Sequence, residues 1–176
     1  MSSPQYYIYT DASFSHLQSF GVSGFLIFDS QDSHEKSQPA KPGLRTHFFK
    51  ESNNIRAEIV GALYALQIFI EERKKDGQKF ESFETHLYSD CQTLTNLLER
   101  REKLKATNYI SARTKTELIN TDLYKKFFAV YDELKPSIHW VKGHSKKATK
   151  TLTEKNFELV DKQVRKELRA TVDRVV

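Results

Sequence analysis

The sequence is poor in the residues that build disulfide-rich, collagen-like or membrane-spanning proteins. Its 176 residues include one cysteine, six glycines and four prolines. The single cysteine, Cys91, cannot form an internal disulfide, and no N-terminal stretch has the apolar character of a signal peptide or a membrane span. We therefore expect a protein without a membrane partner, in a reducing, cytoplasmic setting, folded as one domain over residues 1–176.

What is present is a modest excess of positive charge that is concentrated in one region. Lys and Arg number 28 against 23 Asp and Glu, which gives a net charge of +5. Residues 100–150 hold 13 basic and 5 acidic side chains, so the rest of the chain is slightly negative. Such a segment would attract a phosphate backbone, and a solvated charged face is an equally good alternative.

The spacing of apolar residues predicts an α/β fold in which strands come first. Three strands are followed by alternating helices and strands, which implies a mixed sheet flanked by helices. Residues 101–116 show only weak periodicity, and their structure is left open. The predicted strands cover residues 6–10, 22–28, 46–50, 85–89 and 137–141, and the predicted helices cover 54–75, 91–102, 122–134 and 157–172.

Two aspartates follow predicted strands. Asp11 ends the strand in YYIYTDAS, and Asp90 ends the strand in HLYSDCQ, directly before a helix. Ligands of open α/β sheets bind at the carboxyl ends of the strands, so both side chains could face one crevice. Each aspartate could instead cap a turn or a helix, because Asp is favoured at both.

Two further carboxylates lie on predicted helices. Glu58 flanks an apolar stripe, which points its side chain toward the sheet. Asp161 falls inside the apolar stripe of the last helix, where an unpaired charge would be costly. A Lys or Arg partner from elsewhere in the fold is the alternative to a functional role for Asp161.

Four acids directed at one sheet edge would repel one another unless a cation compensated them. Oxygen ligands select hard ions such as Mg²⁺ or Mn²⁺, and the sequence has no Cys/His cluster that would favour zinc. Two such ions about 4 Å apart can activate a water and stabilise the leaving oxygen of a phosphodiester. The acids are separated by 47, 32 and 71 residues, however, so they form no local motif.

Six segments together carry a family resemblance. They are YIYTDAS, NNIRAEIVGALYAL, HLYSDCQTLTNLL, INTDLYKKF, IHWVKGHS and LVDKQVRKEL. In this order they resemble type 1 ribonucleases H over nearly the whole chain. The resemblance implies an RNase H-like fold, with a sheet of three antiparallel and then two parallel strands. It also implies a monomeric endoribonuclease that hydrolyses the RNA strand of RNA–DNA hybrids and leaves 3′-hydroxyl and 5′-phosphate ends.

The same resemblance implies roles for individual residues. His144, in WVKGHS, would assist proton transfer or product release. Asn54 and Gln92 match positions that contact RNA 2′-hydroxyls, Asn120 matches one that binds a DNA phosphate, and Ser13 lies in the loop that approaches the minor groove. The acids that would hold two Mg²⁺ ions, with Mn²⁺ as the alternative, are Asp11, Glu58, Asp90 and Asp161.

The chain departs from the family's pattern at several positions. The loop after Asp11 reads ASFSHLQSFG where the family has a glycine-rich turn, and the loop SKKATKTLTEK after His144 is longer than usual. Phe157 stands where the family often has an asparagine, with Asn156 one residue out of register. The basic segment 100–115 lacks the family's tryptophans. These differences predict changes in substrate preference, activity or metal preference.

Two other functions are consistent with the sequence. One is a DNA-cutting nuclease of the same superfold, because a fold alone does not separate these chemistries. The other is a non-catalytic module that holds nucleic acid through its basic segment. NNIRAEIVGALYAL and WVKGH favour hybrid cutting, and the presence of all four acids argues against an inactive descendant. The first strand begins about six residues from Met1, so no hybrid-binding domain is expected before it.

Overall fold

The computed structural model describes residues 3–29, 43–143 and 150–175 and shows a mixed sheet with helices on both faces. None of the helices within these ranges combines the length and the apolar character that crossing a bilayer requires. The strands are β1 (Gln5–Ser15), β2 (Phe20–Asp29), β3 (Arg45–Lys50), β4 (Glu84–Ser89) and β5 (Ser137–Trp140). The helices are α1 (Asn54–Lys75), α2 (Gln92–Thr95), α3 (Arg101–Ala106), α4 (Thr121–Leu134) and α5 (Leu152–Val175).

The five strands lie in the order β3-β2-β1-β4-β5. β1, β2 and β3 pair as antiparallel neighbours, whereas β4 runs parallel to both β1 and β5. The predicted sheet of three antiparallel and then two parallel strands is therefore confirmed. Because β1 and β4 are parallel neighbours, their carboxyl ends meet at one edge of the sheet.

Both faces of the sheet are covered, which explains why consecutive residues 6–9 of β1 are all aromatic or aliphatic. Ile8 and Tyr9 are consecutive, point to opposite faces, and are both fully buried. On one face Ile8 joins the core that includes α1 and α4. On the other face Tyr9 joins a smaller core with α5, in which Val160 and Val164 are fully buried.

Three predicted boundaries differ from the structure. β1 runs on to Ser15 instead of ending at residue 10, because its antiparallel ladder with β2 continues. The helix predicted over 91–102 is wrong in part: one turn of α2 is followed by turns before α3, and this path already buries Leu94 and Leu97. α5 begins at residue 152 because Thr151 and Glu154 form a capping box, in which each side chain bonds the other's backbone N–H.

Candidate active site

Two aspartates lie near the shared edge of β1 and β4. The pairing of these strands ends at Tyr9 and Tyr88, and Asp11 and Asp90 each follow two residues later. Asp11 remains within β1, beside β2, and its side chain is buried. Asp90 follows the last residue of β4 and precedes α2. The parallel pairing therefore brings together two acids that are 79 residues apart in the sequence.

A close approach of α1 to the sheet adds Glu58 to this pair. A Cβ on Gly61 would stand 2.7 Å from the Ser23 Cβ and 3.7 Å from the Ala12 Cβ, so only glycine allows α1 to lie this near β1 and β2. Glu58 lies one turn earlier on α1, and the backbone of Ala12 hydrogen-bonds its carboxylate. Carboxylate oxygens of Asp11, Glu58 and Asp90 all lie within 4.8 Å of one another.

The end of β5 fixes the position of Asp90. The Trp140 indole N–H donates to the Asp90 backbone carbonyl at 3.1 Å, and the Val141 N–H donates to the Ser89 carbonyl at 3.0 Å. Gly143 then passes so close that a Cβ there would stand 2.8 Å from Asp90 Oδ2. The tryptophan of WVKGH thus holds the backbone of Asp90, and the glycine leaves room for its carboxylate, roles that the sequence alone did not indicate.

The surroundings favour the protonated forms of Asp11 and Glu58. Burial raises the pKa of Asp11 well above its ordinary value, and the charges of Asp90 and Asp161 raise it further. Burial also raises the pKa of Glu58 well above its ordinary value, followed by the charges of Asp11 and Asp90. Keeping these acids ionised requires a compensating positive charge.

The donor set fits a hard divalent cation. All three groups are carboxylates, and ions such as Mg²⁺ and Mn²⁺ are bound through oxygen. Within the described ranges, no other group of three His, Cys, Asp or Glu side chains places its ligand atoms this close together. The Asp11, Glu58 and Asp90 side chains, called the acid cluster below, are therefore the residues that could hold a metal.

Asp161 stands apart from the acid cluster. Arg165, one turn later on α5, places its Nε 2.6 Å from Asp161 Oδ1. The cationic partner that the sequence left open is therefore present, on the same helix. Asp161 still faces the site, because its charge contributes to the raised pKa of Asp11 and of Glu58. A cavity of about 50 Å³ is lined by both Asp90 and Asp161.

The other predicted site residues lie in different surroundings. Asn54 and Gln92 are exposed at the first positions of α1 and α2, and Ser13 is half-buried on β1. Asn120 precedes α4 and is buried, and among the described residues its Oδ1 has no hydrogen-bond partner. His144 lies outside the described residues.

Arg56 is a residue of the site region that sequence reasoning missed. Its guanidinium contacts both oxygens of Asp122 at 2.8 and 2.9 Å, Glu51 Oε2 at 2.6 Å and the Ile119 carbonyl at 2.9 Å. This pairing lowers the pKa of Asp122 to about 2. Arg56 thereby joins the start of α1 to the start of α4. The signal that the sequence offered for Arg56 was its position within the segment NNIRAE.

At two of the places where the sequence departs from the family's pattern, the structure shows what the side chains contact. Asn156 is buried and hydrogen-bonds Tyr9, while Phe157 is buried in the core between α5 and the sheet. In the basic segment, Arg101 forms an ion pair with Asp132. Part of that segment's positive charge is therefore already neutralised within the protein.

Comparisons with known proteins agree with this architecture. The sequence profile of the RNase H family matches residues 3–169. Among solved structures, LC9-RNase H1, described as a type 1 RNase H with the type 2 active-site motif, superposes with a TM-score of 0.64 at 14% identity. That match covers 94% of this chain and 72% of the other.

Two foamy viral structures are also similar in fold. The foamy viral protease-reverse transcriptase in complex with dsDNA matches with a TM-score of 0.55 at 13% identity, over 88% of this chain and 90% of the other. The native Prototype Foamy Virus protease-reverse transcriptase matches with a TM-score of 0.59 at 16% identity, over 93% of this chain but 20% of that protein. No curated protein matches the sequence closely enough to count as a relative. Because the family profile covers nearly the whole sequence, the chain belongs to the RNase H family of hydrolases.

Proposed function

We propose that the protein is an endonuclease that cuts the RNA strand of RNA–DNA hybrids at the acid cluster and leaves 3′-hydroxyl and 5′-phosphate ends. The observation that supports this most is the cluster itself, with three carboxylates within 4.8 Å at one sheet edge of an RNase H chain. Two Mg²⁺ ions, or Mn²⁺ ions, held by the cluster and Asp161 would supply charge neutralisation and Lewis acidity at the phosphodiester.

The protein's own contribution at this site is to hold carboxylates close together, with Asp11 buried and Glu58 and Asp90 half-buried. Asp11 and Glu58 have a raised pKa, and a carboxylate must lose its proton before it can act as a metal ligand. We therefore expect cation binding to release protons and to become tighter as the pH rises. His144 is the residue we propose for proton transfer or product release.

We propose that side-chain amides next to the acid cluster recognise the hybrid. Asn54 precedes Glu58 by one helical turn, and Gln92 follows Asp90 by two residues. Both are exposed, and an amide can donate to and accept from the 2′-hydroxyl that distinguishes RNA from DNA. The remaining assignments are Ser13 near the minor groove and Asn120 at a DNA phosphate.

We further propose that the catalytic unit is one domain over residues 1–176. It would act as a monomer in the reducing, cytoplasmic setting that a single cysteine favours. The basic segment 100–115 would add a salt-dependent attraction to the phosphate backbone.

The decisive experiment is cleavage of an end-labelled RNA–DNA hybrid in Mg²⁺, beside duplex RNA, duplex DNA and single-stranded RNA. Asp90→Asn removes one carboxylate of the acid cluster with little change in shape. Asp76→Asn is the matched control, because Asp76 lies just after the far end of α1 and is half-exposed. We expect the wild type and Asp76→Asn to cut the RNA strand of the hybrid and Asp90→Asn to be inactive.

Other outcomes would overturn the proposal in distinguishable ways. Cutting of duplex DNA in preference to the hybrid would mean that the fold carries a DNA nuclease. No cleavage in Mg²⁺ or Mn²⁺, together with retained binding of the hybrid, would mean a non-catalytic nucleic-acid-binding module. Unchanged cleavage by Asp90→Asn would remove the acid cluster from the mechanism.

A further inference from the structure

We infer that Arg165 is a built-in counter-ion that competes with a divalent cation for Asp161 and thereby sets how tightly the site binds metal. The inference rests on the proposed function, since it concerns the same acids. Arg165 would tune the metal affinity of the site because it contacts Asp161, a prospective ligand. The acid cluster alone could bind a cation without displacing Arg165.

The geometry makes Arg165 a direct rival for the Asp161 oxygen. Its Nε lies 2.6 Å from Asp161 Oδ1, so a cation that bound this oxygen would have to share it with the guanidinium or displace the guanidinium. Asp161 is 19% exposed, whereas the Arg165 side chain is 43% exposed. Of the two partners, the guanidinium is the more exposed to solvent, and a cation that approaches Asp161 would compete with it for the carboxylate.

The charge of Arg165 also acts beyond its direct partner. Asp161 raises the pKa of Asp11, and Arg165 lowers it, so the guanidinium lies within the electrostatic reach of the acid cluster. One positive charge among four carboxylates reduces the attraction that the site exerts on a divalent ion. Removing that charge and freeing the Asp161 oxygen act in the same direction. Both should strengthen cation binding.

The same helix offers a matched control. Lys162 is exposed and pairs with Glu158, one turn earlier, at 2.9 Å. Like Arg165, it is a basic side chain that follows its acidic partner by four residues on α5. Its partner, however, is outside the four prospective ligands. Replacing Lys162 thus removes the same charge and the same kind of helical pair, but leaves Asp161 and Arg165 in contact.

The test measures Mg²⁺ and Mn²⁺ binding by isothermal titration calorimetry, without substrate, for the wild type, Arg165→Ala, Arg165→Lys, Lys162→Ala and Asp11→Asn. We expect Arg165→Ala to bind about tenfold more tightly than the wild type, or to gain a second resolved binding event. Lys162→Ala should change the affinity less than about twofold, because the exposed charge is screened. Arg165→Lys, which keeps the charge without the fork, should lie between wild type and Arg165→Ala. Circular dichroism confirms that each variant is folded.

The outcomes separate this inference from the proposed function. If Arg165→Ala binds metal no more tightly than Lys162→Ala, while Asp11→Asn abolishes binding, the tuning role is overturned and the metal site stands. If Arg165→Ala instead weakens binding of an RNA–DNA hybrid in the absence of metal and leaves metal affinity unchanged, Arg165 is a phosphate contact. If Asp11→Asn binds metal as the wild type does, the proposed site itself is wrong.

Discussion

Asp11 and Asp122 are the same residue type in opposite surroundings. Asp122 is half-exposed and accepts two hydrogen bonds from Arg56, which lower its pKa to about 2. Burial raises the pKa of Asp11 well above the ordinary value, and the neighbouring acids raise it further. The Arg56 region stabilises the fold with the charges it already has. The acid cluster, in contrast, needs an added positive charge, because the described residues do not provide a cationic partner for each of its carboxylates.

The difference between the two regions indicates how a local loss of folding stability can favour cation binding. Like charges held together by β1, β4 and α1 oppose folding until a cation neutralises them, so the free energy of cation binding stabilises the folded protein. Asp161 is intermediate between the two regions, because it faces the cluster and yet is paired with Arg165.

The largest expected effect is that of Asp11→Asn. Removal of one prospective ligand should reduce hybrid cleavage at least about 100-fold, since even indirect support of a ligand is worth 10- to 100-fold. Without metal, the same variant should melt at a higher temperature than the wild type, because it removes a carboxyl group whose ionised form burial and neighbouring acids disfavour. The measurements are cleavage rate and thermal unfolding with and without Mg²⁺. A lower melting temperature for metal-free Asp11→Asn would show that the acid cluster does not oppose folding.

Arg56→Ala should produce the largest loss of stability from the opposite region. It leaves Glu51 and Asp122 without their shared partner, and we expect the free energy of unfolding to fall by about 2 kcal/mol. Breaking a fully buried pair costs more, but Asp122 is half-exposed. Arg101→Ala is the control, because it removes an arginine from the exposed Asp132 and should have a smaller effect. If both variants lose the same free energy of unfolding in urea denaturation, Arg56 forms no more than an ordinary surface ion pair.

Most of the fold followed from local pattern. The stripe of apolar residues over residues 54–75 gave the bounds of α1, and the strand-first order gave the mixed sheet. The proximity of Asp11 and Asp90 followed from the rule that parallel strands end at one edge. The break between α2 and α3 did not follow, because Leu94 and Leu97 are buried by a series of turns as well as by a helix.

The parts of the site that escaped prediction depend on distant residues or on competing local choices. The bond from Arg56 to Asp122 spans 66 residues, which no local pattern reports. Of the two asparagines in NNIRAE, Asn53 caps α1 by accepting from the Arg56 N–H, and nothing in the sequence distinguished it from Asn54. Asp161 has a cation four residues later in the sequence, but such spacing shows only that pairing is feasible.

Gly143→Ala tests whether the acid cluster depends on close backbone approach. The added Cβ would stand 2.8 Å from Asp90 Oδ2 and must displace the carboxylate. We expect Mg²⁺ affinity, measured by calorimetry, to fall about tenfold. Gly43→Ala is the matched control, because the nearest atom to its added Cβ is the Ile27 carbonyl oxygen at 3.9 Å. If both variants bind Mg²⁺ alike, Asp90 tolerates displacement and the tight approach has no bearing on the site.

The smallest effect is a difference in how stability depends on pH. Asp11 binds its proton more tightly in the folded protein, so its contribution to stability is present below its ordinary pKa of 3.8 and is lost as the pH rises through the raised folded value. Asp122 binds its proton less tightly when folded, so its contribution is present above 3.8 and is lost as the pH falls toward about 2.

The two regions should therefore separate in a pH series of urea denaturation without metal. We expect Asp11→Asn to flatten the loss of stability that accompanies a rise in pH from 3.8 through the raised folded pKa of Asp11. Asp122→Asn should flatten the loss at acid pH by about 1 kcal/mol or less, since Asp122 is half-exposed. Added Mg²⁺ should abolish the loss that accompanies rising pH above 3.8 in the wild type and leave the loss at acid pH unchanged. If the metal-free wild type and Asp11→Asn show the same dependence of stability on pH above 3.8, the acid cluster does not oppose folding and its need for a cation would have to be abandoned.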